Sequence, residues 1–423
     1  MSCKKLLLLL QVPFALLLCA CTKDEVELPD LLKEKQYVSS GLKAYYCGIE
    51  TPGKSVTLIP SNGGNINNIT LRCEGATDLS QLSSIGLNGY GPGPGLIPGS
   101  PVVDLPVALT EKKDGYSFSS SWSTDFCSFK YSGNITESLA TINISDVELH
   151  NKDFAGTVWK PVPFKQSGLQ VESTPFYILW EIDPAVGIDI DLSGLLKLLV
   201  TAPVIPTYHD TAYSSISQLL SSSLQTVAFL ENGNIIVRYY SSVGGATQLA
   251  TLQAPTLQYV VKDSNEILIY PNPTSLFGLW LVAQSDSAGI PDISFKEPKK
   301  RQESADSEGG DESLKQAFLP LIKEMIPVIL EMTRQGIPLE ITKTESGVNI
   351  FLDTQTILTI LNQVARIISE KPEILEGLLG NLDVSPELSN ILPQIQEILP
   401  QLQTILEKTT RIEFGLSFLP FEK

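Results

Sequence analysis

Histidine is nearly absent, with only His150 and His209 in 423 residues. That scarcity excludes a histidine-rich zinc centre and leaves any serine or cysteine triad only these two as its base. His209 stands in Tyr208-His209-Asp210-Thr211 near many serines, but no GxSxG elbow surrounds any of them. It is expected as a loop histidine bonded to Asp210. CxxC pairs are missing too, which removes metal sites of that type. Charge is sparse at 18%, and acids outnumber bases 47 to 30 for a net charge of −17. An acidic chain repels phosphate backbones, so nucleic acid is not an expected partner. The glycine-rich stretch 91–95 lacks the Lys-Ser/Thr of a phosphate loop. Asp189-Ile190-Asp191-Leu192-Ser193-Gly194 imitates the opening of an EF-hand, but Val200 stands where the twelfth-position carboxylate belongs. Asp189 and Asp191 stay open as ligands in some other geometry. No metal or other cofactor is expected, and without a catalytic constellation the chain is not expected to be an enzyme. Carboxylate pairs for glycoside hydrolysis stay open, because separation in sequence says nothing of distance in space.

Long apolar runs are also lacking. The most apolar internal stretch, 192–205, is broken by Lys197 and Pro203. The run from Leu6 to Leu18 follows Lys4 and Lys5 and spans thirteen residues. A helix crossing a hydrocarbon core of roughly 30 Å needs about 20, so 6–18 has the length of a signal-peptide core instead. It ends in Leu18-Cys19-Ala20-Cys21, which resembles the lipobox of bacterial lipoproteins. The resemblance implies a signal peptide over 1–20, lipidation of Cys21 as the new N-terminus, and a membrane partner through that anchor. Thr22-Lys23-Asp24-Glu25-Val26-Glu27 looks like the charged tag that sends lipoproteins of the Bacteroidetes to the outer face of the outer membrane. The alternative is a solvated tether on the periplasmic face. Loss of the signal removes two lysines and no acids, taking the charge from −17 to −19. It also leaves three cysteines, Cys47, Cys73 and Cys127. An odd number permits at most one disulfide, and their apolar or alternating surroundings favour buried thiols.

Behind a tether at 21–40 the text turns to strands. Period-two runs from 41 to 151 and the hairpin signal Asp114-Gly115, expected to join 102–110 to 116–123, read as an N-terminal β domain. The Gly- and Pro-rich stretch 86–100 reads as a long loop. From 152 to 423 the pattern gives a second β domain with hairpins at Asn232-Gly233, Asp263–Asn265 and Ser346-Gly347. Residues 296–313 read as an exposed linker. Within an insertion over 314–408, helical periodicity marks 314–335, 354–369 and 386–408, with Gly336 as a C-cap, Asp353 as an N-cap, and prolines 320, 327, 393 and 400 expected as kinks; a separate helical bundle is the alternative. A strand at 411–419 closes the chain. The expected class is mainly β (α+β overall): two antiparallel barrel- or sandwich-like modules with a helical C-terminal insertion.

Gly156-Thr157-Val158-Trp159-Lys160 resembles the first-strand motif of lipocalin-like (calycin) barrels, with two residues between glycine and tryptophan instead of one. More broadly, residues 41–285 look like an uncharacterised family of Bacteroidetes surface lipoproteins with calycin-like β domains. The lipocalin resemblance implies an arginine near the last strand packed on Trp159, and Arg411 is the late candidate. Trp122, Trp159, Trp180 and Trp280 could stack on sugars or line an apolar pocket, although tryptophans of β proteins are mostly core. Trp159, Trp180, Tyr208 and Trp280 are the candidate ligand-binding aromatics. The expected function is a surface binding module for a small apolar molecule or a glycan. The alternative is a structural subunit, an adhesin or an accessory lipoprotein that meets an outer-membrane protein partner.

Overall fold

A strand begins earlier than the tether reading allows. The computed structural model describes residues 33–276, except 61–65, 169, 187–190, 204, 207–212, 244–245 and 253, together with 310–371, 393, 398 and 401–421. Lys35–Val38 already pairs with Lys54–Ile59, because Tyr37 alternates inward and buries its ring. A single turn at Ser39–Gly41 then carries the chain to a second sheet, where Leu42–Tyr46 pairs parallel to Ala140–Leu149. The first sheet runs Lys35–Val38, Lys54–Ile59, Ile69–Gly75, Val102–Val107. The second runs Ile49–Glu50, Leu42–Tyr46, Ala140–Leu149, Cys127–Ile135, Gly115–Ser123, Thr110–Lys112. Their inward rows, such as Leu58, Leu71 and Leu105 against Ile142, Ile144 and Tyr131, share one core, so this half is a sandwich.

The hairpin at Asp114-Gly115 forms, but its first arm is Thr110–Lys112 rather than all of 102–110. Val102–Val107 belongs to the opposite sheet, as an edge strand that tolerates Pro106. The loop at 86–100 is largely buried over 93–98. It presses on the first sheet where a Cβ on Gly75 would sit 2.0 Å from the Gly93 carbonyl oxygen. Cys47, Cys73 and Cys127 form no disulfide; Cys73 and Cys127 are buried and Cys47 half-buried.

The second unit is one large antiparallel sheet. Its order is Ala246–Leu252, Ile235–Val243, Leu224–Phe229, Val158–Pro161, Thr409–Pro420, Val348–Leu352, Ile337–Lys343, Glu266–Pro271, Leu257–Val261, with Phe176–Ile182 also on Thr409–Pro420. The sheet curls into a half-barrel. Its arms approach at an isolated bridge, Asn234 to Gln258, where Tyr259 N–H donates to Gly233 O at 2.7 Å. Trp159, Phe229, Ile267, Ile350 and Phe418 join the core of the sandwich, so the apolar interior runs through both units.

The helices lie on this frame. Gly310–Gln335 runs as one helix through Pro320 and Pro327 and ends at Gly336, whose φ of +87° suits the position. Its Ile326 and Leu330 pack on Leu79 and Leu82 of the N-terminal unit. Thr354–Glu370 starts at Asp353, whose carboxylate accepts from Thr356 N–H at 2.8 Å. Thr354 Oγ1 donates to Ile412 O at 3.1 Å, which ties that helix to the closing strand. Asp353→Ala removes the cap and is expected to cost about 1 kcal/mol in urea denaturation. An unchanged midpoint would contradict the capping role. Of the last expected helix only Leu402–Lys408 and isolated residues are described. The signal peptide, Cys21, Tyr208, His209, Asp189, Trp280 and residues 296–309 of the expected linker lie outside the described residues, whereas 310–313 already belong to the helix Gly310–Gln335.

Candidate functional site

Of the aromatic residues expected to bind ligand, the two that are described, Trp159 and Trp180, do not converge. Trp159 packs on Phe154, centroids 6.2 Å apart, and its Nε1–H donates to Thr157 Oγ1 at 2.9 Å. Trp180 donates to Thr409 Oγ1 at 2.9 Å and packs with Leu192, Ile398 and Ile405. Along the closing strand Trp159 faces Pro420 and Trp180 faces Ile412, roughly 26 Å apart at strand rise. Both indoles are half-buried parts of the packing, with their N–H groups already engaged. Arg411 does not reach Trp159 either. It lies opposite Glu181 near the far end of the strand, and its Nε donates to Glu413 Oε1 at 2.7 Å. Asp191 is not a free metal ligand, since it caps the helix Leu192–Thr201 by accepting from Gly194 N–H at 2.8 Å. Among the described residues no group of three or more His, Cys, Asp or Glu could hold a metal.

Two other clusters carry more chemistry. Buried Glu413 accepts at Oε2 from Tyr177 Oη at 2.7 Å, besides its bond from Arg411. Burial, and then the bonded carboxylate, push the Tyr177 phenol up to about 12. Burial, with Asp353, Glu413 and Glu266 nearby, also raises the Glu340 carboxyl. Both oxygens of buried Glu413 are held by hydrogen bonds, so it acts as a fixed strut between Tyr177 and Arg411.

The second cluster opens to solvent. A cleft of about 800 Å³ crosses three strands of the sandwich and is lined by Ser121, Trp122, Ser123, Ser128, Lys130, Asp146 and Glu148, with Phe129 and Val147 beneath. The facing sheet covers Phe118, 5% exposed, but leaves Trp122 42% exposed. Trp122 pairs with Phe129, Ser121 with Lys130, and Ser123 with Ser128. A bulge beside Phe129, where Asp146 adopts φ +48°, increases local twist and turns that carboxylate toward Lys130. Asp146 Oδ2 lies 2.9 Å from Lys130 Nζ, and this bond raises the lysine above its ordinary value. His150 Nδ1 is 3.0 Å from the Asp125 carbonyl, and Nε2 is 3.4 Å from Ser123 Oγ. A carbonyl can only accept, so Nδ1 carries a proton. These strands therefore offer serine hydroxyls, a carboxylate–ammonium pair and a second carboxylate on their outer face, while the Trp122 indole stands on the other face beside Phe129, exposed where the facing sheet ends.

Trp122 was hidden because it shares its strand face with Tyr116 and Phe118, a core pattern at period two. The contrary signal is Ser120, where that face turns polar before Trp122. Comparison with protein-family models, curated proteins and solved structures finds no match to this chain.

Proposed function

We propose that the chain is a lipid-anchored surface protein that binds glycan at the Trp122 cleft. The Trp122 indole, left exposed where the facing sheet ends, carries this reading. An uncovered indole face stacks on the C–H face of a sugar ring. A small apolar ligand fits less well, because the half-barrel's apolar side chains already pack into the shared core. In affinity electrophoresis through starch, xylan and galactan, at least one polysaccharide should retard the protein. Trp122→Ala should weaken that retention at least tenfold, about 1.4 kcal/mol, with an unchanged melting temperature. Absence of retardation in every gel, or equal retention of the variant, would sink the proposal.

One observation favours the structural-subunit reading. Ala246–Leu252 is an edge strand without a charged residue, and its Leu249 is exposed beside exposed Tyr240. Such an edge is suited to strand addition by a protein partner.

A further inference from the structure

We infer that the second unit carries a lipid-surface contact formed by Val171, Leu198, Ile216 and Leu219. These four large apolar side chains are 37%, 44%, 40% and 37% exposed. They come from adjoining elements. The helices Leu192–Thr201 and Ile216–Ser223 pack together. The hairpin of Lys165–Ser167 and Gln170–Ser173 flanks the second helix, where Phe164 N–H donates to Ser221 Oγ at 2.9 Å and the Thr174 and Ser217 hydroxyls bond at 3.0 Å. Lys197 is the sole charged residue of the two helices. The hairpin adds Lys165 and Val171's neighbour Glu172, which offset each other.

Charge and tether length point to a zwitterionic lipid surface as the occupant. The chain as a whole carries −17 and repels anionic headgroups, whereas these helices present apolar side chains with no acid among them. The inference rests on acylation of Cys21 for its proximity to a membrane. Eleven residues lie between Cys21 and Lys33, a reach of at most about 40 Å. The tether joins the sandwich where Tyr37 Oη bonds Thr136 O, whereas Tyr46 meets Asn232 of the second unit at the other end of the sheet. Anchor and patch thus hold opposite ends, and the body lies along the bilayer with the apolar side chains dipped into its interface.

The test uses the chain from residue 21 with Cys21→Ser, which removes the acylation site, floated with phosphatidylcholine–phosphatidylethanolamine vesicles. The protein should float with the vesicles. Combined Leu198→Glu, Ile216→Glu and Leu219→Glu should cut the bound fraction at least tenfold while circular dichroism and melting stay unchanged. Phosphatidylglycerol should weaken binding and added salt restore it, because apolar insertion then works against charge repulsion. Absence of flotation, or equal flotation of the triple variant, would overturn the inference. So would a wild-type dimer in light scattering that the triple variant abolishes, since a second copy would then cover the patch. Labelled palmitate incorporation at Cys21 tests acylation separately. Trp122→Ala should float like the parent, which keeps this contact distinct from the glycan cleft.

Discussion

Replacing Tyr46 with alanine is expected to cost about 3–5 kcal/mol, the range for deleting a buried aromatic ring. Tyr46 is fully buried in the core that spans both units, and its Oη donates to Asn232 O at 2.6 Å. Alanine therefore removes ring packing from the sandwich and a hydrogen bond across the joint. Tyr46→Phe keeps the ring and leaves the Asn232 carbonyl without that donor, at about 1–3 kcal/mol. Urea denaturation, followed by tryptophan fluorescence and by circular dichroism, separates the two contributions. Both probes should report one transition in the parent, because one core links the units. A loss below about 1 kcal/mol for Tyr46→Ala would show that the cavity collapses freely and that the joint depends on other contacts.

Lys54 should give the chain a pH dependence at alkaline pH. Its side chain is 3% exposed, and Nζ donates to Pro94 O at 2.6 Å and Gly95 O at 2.9 Å. Burial pushes its ammonium down from 10.5 to about 7. Above about 7 the folded lysine has lost a proton that the unfolded chain still holds up to about 10.5. The unfolded state then binds more protons, so stability rises with pH across that window, by up to about 1.4 kcal/mol per pH unit. Below the window both states are protonated and this contribution is flat. The total gain is on the order of 5 kcal/mol. Lys54→Met keeps similar length without a titrating group. The difference between parent and variant in urea stability should therefore change by several kcal/mol between pH 7 and pH 10. Parallel profiles would show that the two carbonyls hold the charged form as well as water does.

Features encoded by adjacent residues were legible. Asn232-Gly233 and Ser346-Gly347 join paired strands, Asp353 caps its helix, and Gly336 ends the long one. Each depends on backbone preferences within a few residues. The burial of Cys73 and Cys127 in strands was readable for a similar reason, since alternation marks the inward face, whereas Cys47 falls in a turn and is half-buried. Trp122 was not legible as a site, because its exposure depends on where the opposite sheet stops. The loop at 86–100 was legible as a loop but not as a buried one, since its burial needs the close approach of Gly75 and the reach of Lys54.

By itself the sequence determined the mainly β class, most hairpins and caps, and the scarcity of histidine and of basic charge. Those follow from composition and from interactions between near neighbours. Only the tertiary structure decided that Val158–Pro161 meets the last strand, that Trp159 and Trp180 stay apart while Trp122 faces solvent, and that Lys54 is enclosed. These outcomes depend on contacts between segments tens to hundreds of residues apart, whose register no local pattern specifies.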